Sequence, residues 1–125
     1  MSLLELQYFS RQGGDPPTPI RQVRNASTYS VATSDKIIFV DTSISAVSLY
    51  LPSPKAVQSG TEIRIKDSSG HALTNNITLI CRSDARHPNH FGAGETLDGQ
   101  SSVTLDFGYA GVSVMSDGVN WLLSP

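Results

Sequence analysis

The chain has 125 residues, a formal net charge of −2 and a sequence pI of about 5.8, a length that fits one domain. Hydrophobic residues make up 38% and charged residues only 16%, so Ser, Thr, Gly, Asn and Pro fill the remainder, a mixture that suits short strands and turns better than long helices. The basic residues are spread singly, which argues against nucleic-acid binding by phosphate neutralisation; no apolar run is long enough to insert in a membrane; and the single cysteine, Cys81, excludes an intramolecular disulfide.

The first element is an arm. Leu3, Leu4, Leu6, Tyr8 and Phe9 form an apolar patch too short for a stable free helix. Gly13-Gly14-Asp15-Pro16-Pro17-Thr18-Pro19 follows, and three prolines in four residues block both helix and ladder pairing. Residues 1–28 therefore read as an N-terminal arm or linker to a shaft or a partner, and residues 29–125 as the folded domain. No secretory signal is visible at the N-terminus, since Glu5 interrupts any apolar stretch.

From Tyr29 onward the period is two. Ile37-Ile38-Phe39-Val40 is apolar throughout, as in a strand covered on both faces. Val47, Leu49 and Leu51 alternate with Ser48 and Tyr50; Ile63 and Ile65 alternate with Glu62, Arg64 and Lys66. Val103, Leu105 and Phe107 alternate with Thr104 and Asp106, and Val112 and Val114 flank Ser113. Each alternation places one face in a core. Turn signals lie between the runs, among them Ser68-Ser69-Gly70 and Asp98-Gly99. Only Lys55–Gln58 fits a helical turn. Asp117-Gly118 reads as the type I′ turn of a hairpin that delivers Trp121, the only tryptophan, to a packed site. The spacing predicts an all-β fold, an antiparallel β-sandwich of jelly-roll-like form with a short N-terminal arm.

Several stretches stand together in one order: Ile37–Ser43, Val47–Pro52, Ile63–Asp67 with Gly70 and Asn75–Thr78, Gly94–Gly99, and Ser116–Trp121. Over residues 29–124 this order resembles the C-terminal tip or knob domains of trimeric bacteriophage tail fibres, tail needles and virion spikes. The resemblance implies a homotrimer at the end of a fibre, part of a virion produced in the cytoplasm of a bacterial host, touching a host surface receptor, with a glycan as a candidate. It implies no enzymatic activity. The chain departs from that pattern at Arg82 to Ala93, where SDARHPNHFGA stands in place of a shorter connection.

Two other readings share much of this pattern: a capsid-decorating or baseplate structural protein without a receptor role, and a monomeric carbohydrate-binding module. The aromatic residues are scattered along the sequence, which does not favour a sugar-stacking platform.

Candidate chemistry is sparse. His87 and His90, three apart, fit a transition-metal site, and in a trimer they can converge on a three-fold axis; a metal ion there is the one cofactor the sequence allows for. The carboxylates mostly occupy turn positions, where Asp is favoured for backbone reasons, and no nucleophile or phosphate-loop motif occurs, so no catalytic residue is assigned. Loops 42–46, 68–76 and 83–94 are the expected ligand-facing segments, with His71, Asn75, Arg86, His87, Asn89, His90 and Phe91 as candidates. Tyr50, Met115 and Leu122, left outward by alternation, are the candidates for the oligomer interface. The stretch KDSSGHALTNNIT reads as a strand end, a turn and the next strand, serving folding rather than catalysis.

Overall fold

The computed structural model describes residues 19–81 and 95–125. Among the described residues there are nine strands: β1 (Ile20–Val23), β2 (Thr28–Ser30), β3 (Ile37–Val40), β4 (Val47–Tyr50), β5 (Glu62–Asp67), β6 (Ile77–Ile80), β7 (Ser102–Leu105), β8 (Gly111–Ser116) and β9 (Trp121–Ser124). The only helical element among the described residues is one 3-10 turn, Pro54–Ala56, capped by Ser53 Oγ accepting from Lys55 N–H.

The strands form two sheets, β1-β3-β5-β8-β9 and β2-β4-β6-β7. The all-β, two-sheet arrangement agrees with the sequence; the strand directions do not. β1, β3 and β5 are parallel, and so are β2, β4 and β6. The chain therefore winds as a short coil. Each turn lays one strand in each sheet and stacks on the turn before it, giving three rungs. Only β5–β8, β8–β9 and β6–β7 are antiparallel, and they close the stack. Alternation could not reveal this, because period two says which face is buried and nothing about the direction of the neighbouring strand.

Register explains the core. Ile38, Ile65 and Val112 lie in one row across the first sheet, and Tyr29, Leu49, Leu79 and Val103 in another across the second. Leu49, Ile38, Ile63, Ile65, Ile77 and Leu79 are fully buried between the sheets. Burial of this kind stabilises by about 25 cal/mol per Å² of apolar surface. Trp121 is also fully buried, and its indole Nε1–H donates to the Pro52 carbonyl at 2.8 Å. Cys81 is buried, and burial pushes its thiol up to about 12.

Three sequence expectations are refined here. β1 lies inside the segment read as an arm, with Val23 buried as a member of the sheet. Its signal was weak because the other inward position holds Arg21, whose guanidinium sits 3.5 Å from buried Asp35. Asp35 also accepts the Tyr29 hydroxyl at 2.6 Å, and burial together with this carboxylate raises the phenol to about 12.

The hairpin at 117–120 is a four-residue loop in which Asp117 Oδ1 accepts the N–H groups of Val119 and Asn120, and only Gly118 has positive φ. The two-residue turn with both central residues at positive φ occurs instead at Asp98-Gly99, φ 51° and 80°. Finally, β3 is not covered on both faces: Ile38 and Val40 are buried, while Ile37 and Phe39 are half-exposed on the outer side.

Candidate functional site

Strand direction gathers the loops. The parallel strands β1, β3 and β5 all end at the same end of the molecule, so the β1–β2, β3–β4 and β5–β6 connections lie there, joined by β7–β8. This loop end is organised around one carboxylate. Asp67 terminates β5 at a position whose parity points inward, following Ile63 and Ile65, and it is fully buried. It stands in one row with Val23 and Val40.

Its oxygens are saturated by donors from three connections. Oδ1 accepts from Thr42 Oγ1 at 2.8 Å, Ser69 N–H at 3.2 Å and Gly70 N–H at 3.1 Å. Oδ2 accepts from Ala72 N–H at 3.1 Å and Tyr109 N–H at 3.0 Å. Burial by itself would raise the carboxyl; the hydrogen bonds from Thr42 and from the Tyr109, Ala72 and Ser69 amides outweigh it, so the group lies below the usual carboxylate range.

Thr42 carries the network outward. Its N–H donates to Ser69 Oγ at 2.9 Å, its hydroxyl accepts from His71 N–H, and its carbonyl accepts Asn75 Nδ2 at 2.7 Å. Asn76 Nδ2 closes the same loop on the Ala72 carbonyl. KDSSGHALTNNIT is thus a strand end and a pinned loop, as its sequence implies.

Tyr109 has φ 59°, a left-handed backbone that aromatic residues seldom adopt. Asp67 holds its N–H and the Lys66 ammonium donates to its carbonyl. Its ring rests against Gly70, where a Cβ would come within 2.6 Å of the ring. Gly70 itself has φ 83°, so both space and backbone require glycine there.

This end exposes large apolar side chains among its polar ones. Leu73 (74%), Ile44 (70%), Phe107 (60%) and Tyr109 (59%) are the four most exposed large hydrophobic residues among those described, and they occupy three of the stitched loops. Large apolar side chains exposed on pinned loops suit contact with a partner better than they suit solvent. Sequence reasoning located loops 42–46 and 68–76 but missed these four side chains and the 106–110 loop. The signal available for Phe107 was its place two residues beyond Leu105, past the end of β7, where alternation no longer faces a core.

The other candidates separate. His71 is exposed at this end, whereas Asn75 is half-buried with its amide committed to Thr42. Arg86, His87, Asn89, His90 and Phe91 lie outside the described residues. Tyr50 faces outward from the second sheet, while Met115 and Leu122 face outward from the first, so the three do not share a surface.

No group of three His, Cys, Asp or Glu side chains able to hold a metal occurs among the described residues. Ser53 Oγ donates to the Glu95 carboxylate at 3.2 Å, with Lys55 Nζ 3.6 Å from the same carboxylate, and the pair works as a clamp between the 3-10 turn and the 95–97 segment. No helix among the described residues is long and apolar enough to cross a membrane. No known protein family matches the chain, and neither does any curated protein.

Proposed function

We propose that this chain is a non-enzymatic virion component, the tip domain of a trimeric phage fibre or spike, which contacts the host cell surface through its loop end. The observation that supports this reading is the placement of Ile44, Leu73, Phe107 and Tyr109 together on loops tied to one buried carboxylate. Rigid loops bind with less ordering cost than mobile ones, and aromatic side chains give large contact area for two rotatable bonds. The ordered motif set from Ile37 to Trp121 supports the fibre context. A monomeric carbohydrate-binding module is the second reading, favoured by the Phe107–Tyr109 pair, which offers two aromatic faces to a sugar ring.

The loop-end contact is tested with the fluorescently labelled full chain on a panel of bacterial strains and on a glycan array. Replacing both Phe107 and Tyr109 by Ser is expected to lower cell binding by about tenfold or more, on the scale of aromatic anchors in other interfaces. Replacing exposed Val119, at the opposite end, is expected to change nothing. Binding that survives the double replacement would overturn the loop-end assignment.

A further inference from the structure

Tyr109 holds a strained backbone that burial does not offset. The turn from Phe107 to Ala110 is closed by the Ala110 N–H donating to the Phe107 carbonyl at 3.1 Å. Tyr109, its third residue, has φ 59°, where a turn normally takes Gly or Asn. The glycine of this turn stands one position earlier, at Gly108, where a Cβ would come within 2.8 Å of the Gly70 carbonyl. An aromatic residue ordinarily repays strain by burying its ring, yet Tyr109 is 59% exposed. Three partners hold it in place nonetheless: Asp67 on its N–H, Lys66 on its carbonyl and Gly70 against its ring. A strained side chain that is fixed from below and displayed to solvent has the form of a contact residue set in advance.

The chemistry beside the ring narrows the ligand. The Lys66 ammonium lies 6.0 Å from the ring centroid. It carries three N–H donors, and the Tyr109 carbonyl takes one of them. Among the described residues no carboxylate forms an ion pair with it. Glu62 shares its face of β5 but stands four residues away, roughly 13 Å at 3.3 Å per residue. Asp106 is exposed at the entrance to the turn and does not pair with Lys66. Arg64, two residues from Lys66 on the same face, adds a second cation, and the oxygens of Asp67 are taken by the donors already described. The N–H groups of Tyr109 and Ala110 are committed as well, so the turn offers no main-chain ladder to a peptide.

We propose that Tyr109 and Lys66 form a subsite for an acidic sugar: the C–H face of a pyranose ring lies on the phenol ring, and an anionic group on that sugar, a carboxylate or a phosphate, meets the Lys66 ammonium. The ring supplies contact area at little cost in ordering, and the ammonium selects charged sugars over neutral ones. A cationic ligand would be repelled by Lys66 and Arg64 together. The inference rests on the loop-end contact proposed above and names its ligand class.

The test uses the labelled full chain on an array of bacterial surface polysaccharides. Each is spotted in its native form, after chemical reduction of its carboxylates to alcohols, and after removal of its phosphates; glutamate-rich peptides are spotted beside them. Binding is expected on acidic polysaccharides and is expected to fall by about tenfold or more when the anionic group is removed. Loss on carboxylate reduction assigns a carboxylate, and loss on phosphate removal assigns a phosphate. Lys66→Met is expected to lower binding to the native form by a similar factor and to leave binding to the stripped form unchanged, while Lys66→Arg retains most of it. Tyr109→Gly is expected to abolish binding with a thermal midpoint at or above that of the parent, because glycine adopts the left-handed backbone without strain. A midpoint well below the parent would make the ring a structural part and overturn the subsite. Equal binding to native and stripped polysaccharides, or binding to the acidic peptides alone, would overturn the acidic sugar. Cell binding that is lost on replacing Phe107 and Tyr109, with no polysaccharide bound, would overturn the sugar and leave the loop-end contact standing. A chain that binds neither cells nor any spot would overturn both.

Discussion

Asp67→Ala is expected to cost about 3–5 kcal/mol of folding stability, from the desolvation penalty of buried donors left without an acceptor. The substitution strands the Thr42 hydroxyl and the N–H groups of Gly70, Ala72 and Tyr109, several of them buried or half-buried. At about 4 °C per kcal/mol for a domain of this size, the thermal midpoint should fall by about 12–20 °C. Asp67→Asn keeps one acceptor oxygen but turns an NH2 toward existing donors, so a loss of about 2–3 kcal/mol is expected.

The pH dependence follows from the direction of the shift. The folded carboxyl lies below its unfolded value of about 3.9, so the native state binds its proton less readily. The stabilisation is present in full above pH about 4 and is lost as pH falls through the folded value. Urea midpoints measured from pH 7 down to pH 2 should show the parent losing stability in acid. The Asp67→Asn chain should lack that portion of the slope. A parent curve and a variant curve that run parallel throughout would remove Asp67 as the organiser of the loop end.

Trp121→Ala is expected to cost about 3–5 kcal/mol, the range for a large aromatic truncated in a packed core. Trp121 is fully buried, its Nε1–H is the partner of the Pro52 carbonyl, and its backbone bonds Thr96 and Asp98. It therefore joins β9, the turn after β4 and the 96–98 segment in one contact. Trp121→Phe retains most of the volume and loses the hydrogen bond, so about 1–3 kcal/mol is expected, most of it from the unsatisfied carbonyl. Equilibrium unfolding by circular dichroism checks both. The parent adds a second probe, since its only tryptophan reports the same core by fluorescence. A Trp121→Ala loss below about 1 kcal/mol would mean that β9 is not part of the cooperative unit.

Much of the fold was legible because burial alone produces the alternation. Val47-Ser48-Leu49-Tyr50 and Glu62–Lys66 announce their buried faces without ambiguity, and the structure buries Val47, Leu49, Ile63 and Ile65. Direction was illegible, since Ile38 packs the same way whether its neighbour runs with it or against it. β1 was hidden by Arg21, an inward-facing cation satisfied by Asp35 fourteen positions later, a pairing that only the coil brings about.

The loop end was half legible. Gly70 and Asn75 marked a structured turn. Asp67 looked like one more turn aspartate, and nothing local shows that its partners are Thr42 and Tyr109, 25 and 42 positions away. Long-range polar satisfaction of this kind leaves no period in a sequence. The outward row of the first sheet shows the reverse case. Met115 and Leu122 were readable as outward, and so was Tyr50, but placing them on opposite faces required the strand order.

The reading of the chain as a fibre or spike tip depends most on its state of assembly. The direct measurement is the molar mass of the full chain in solution, by light scattering after size exclusion at micromolar concentration and near-neutral pH. Three times the chain mass is the expected result. The mass of a single chain, unchanged as concentration rises to the millimolar range, would contradict it and leave the monomeric binding module as the reading of the loop end.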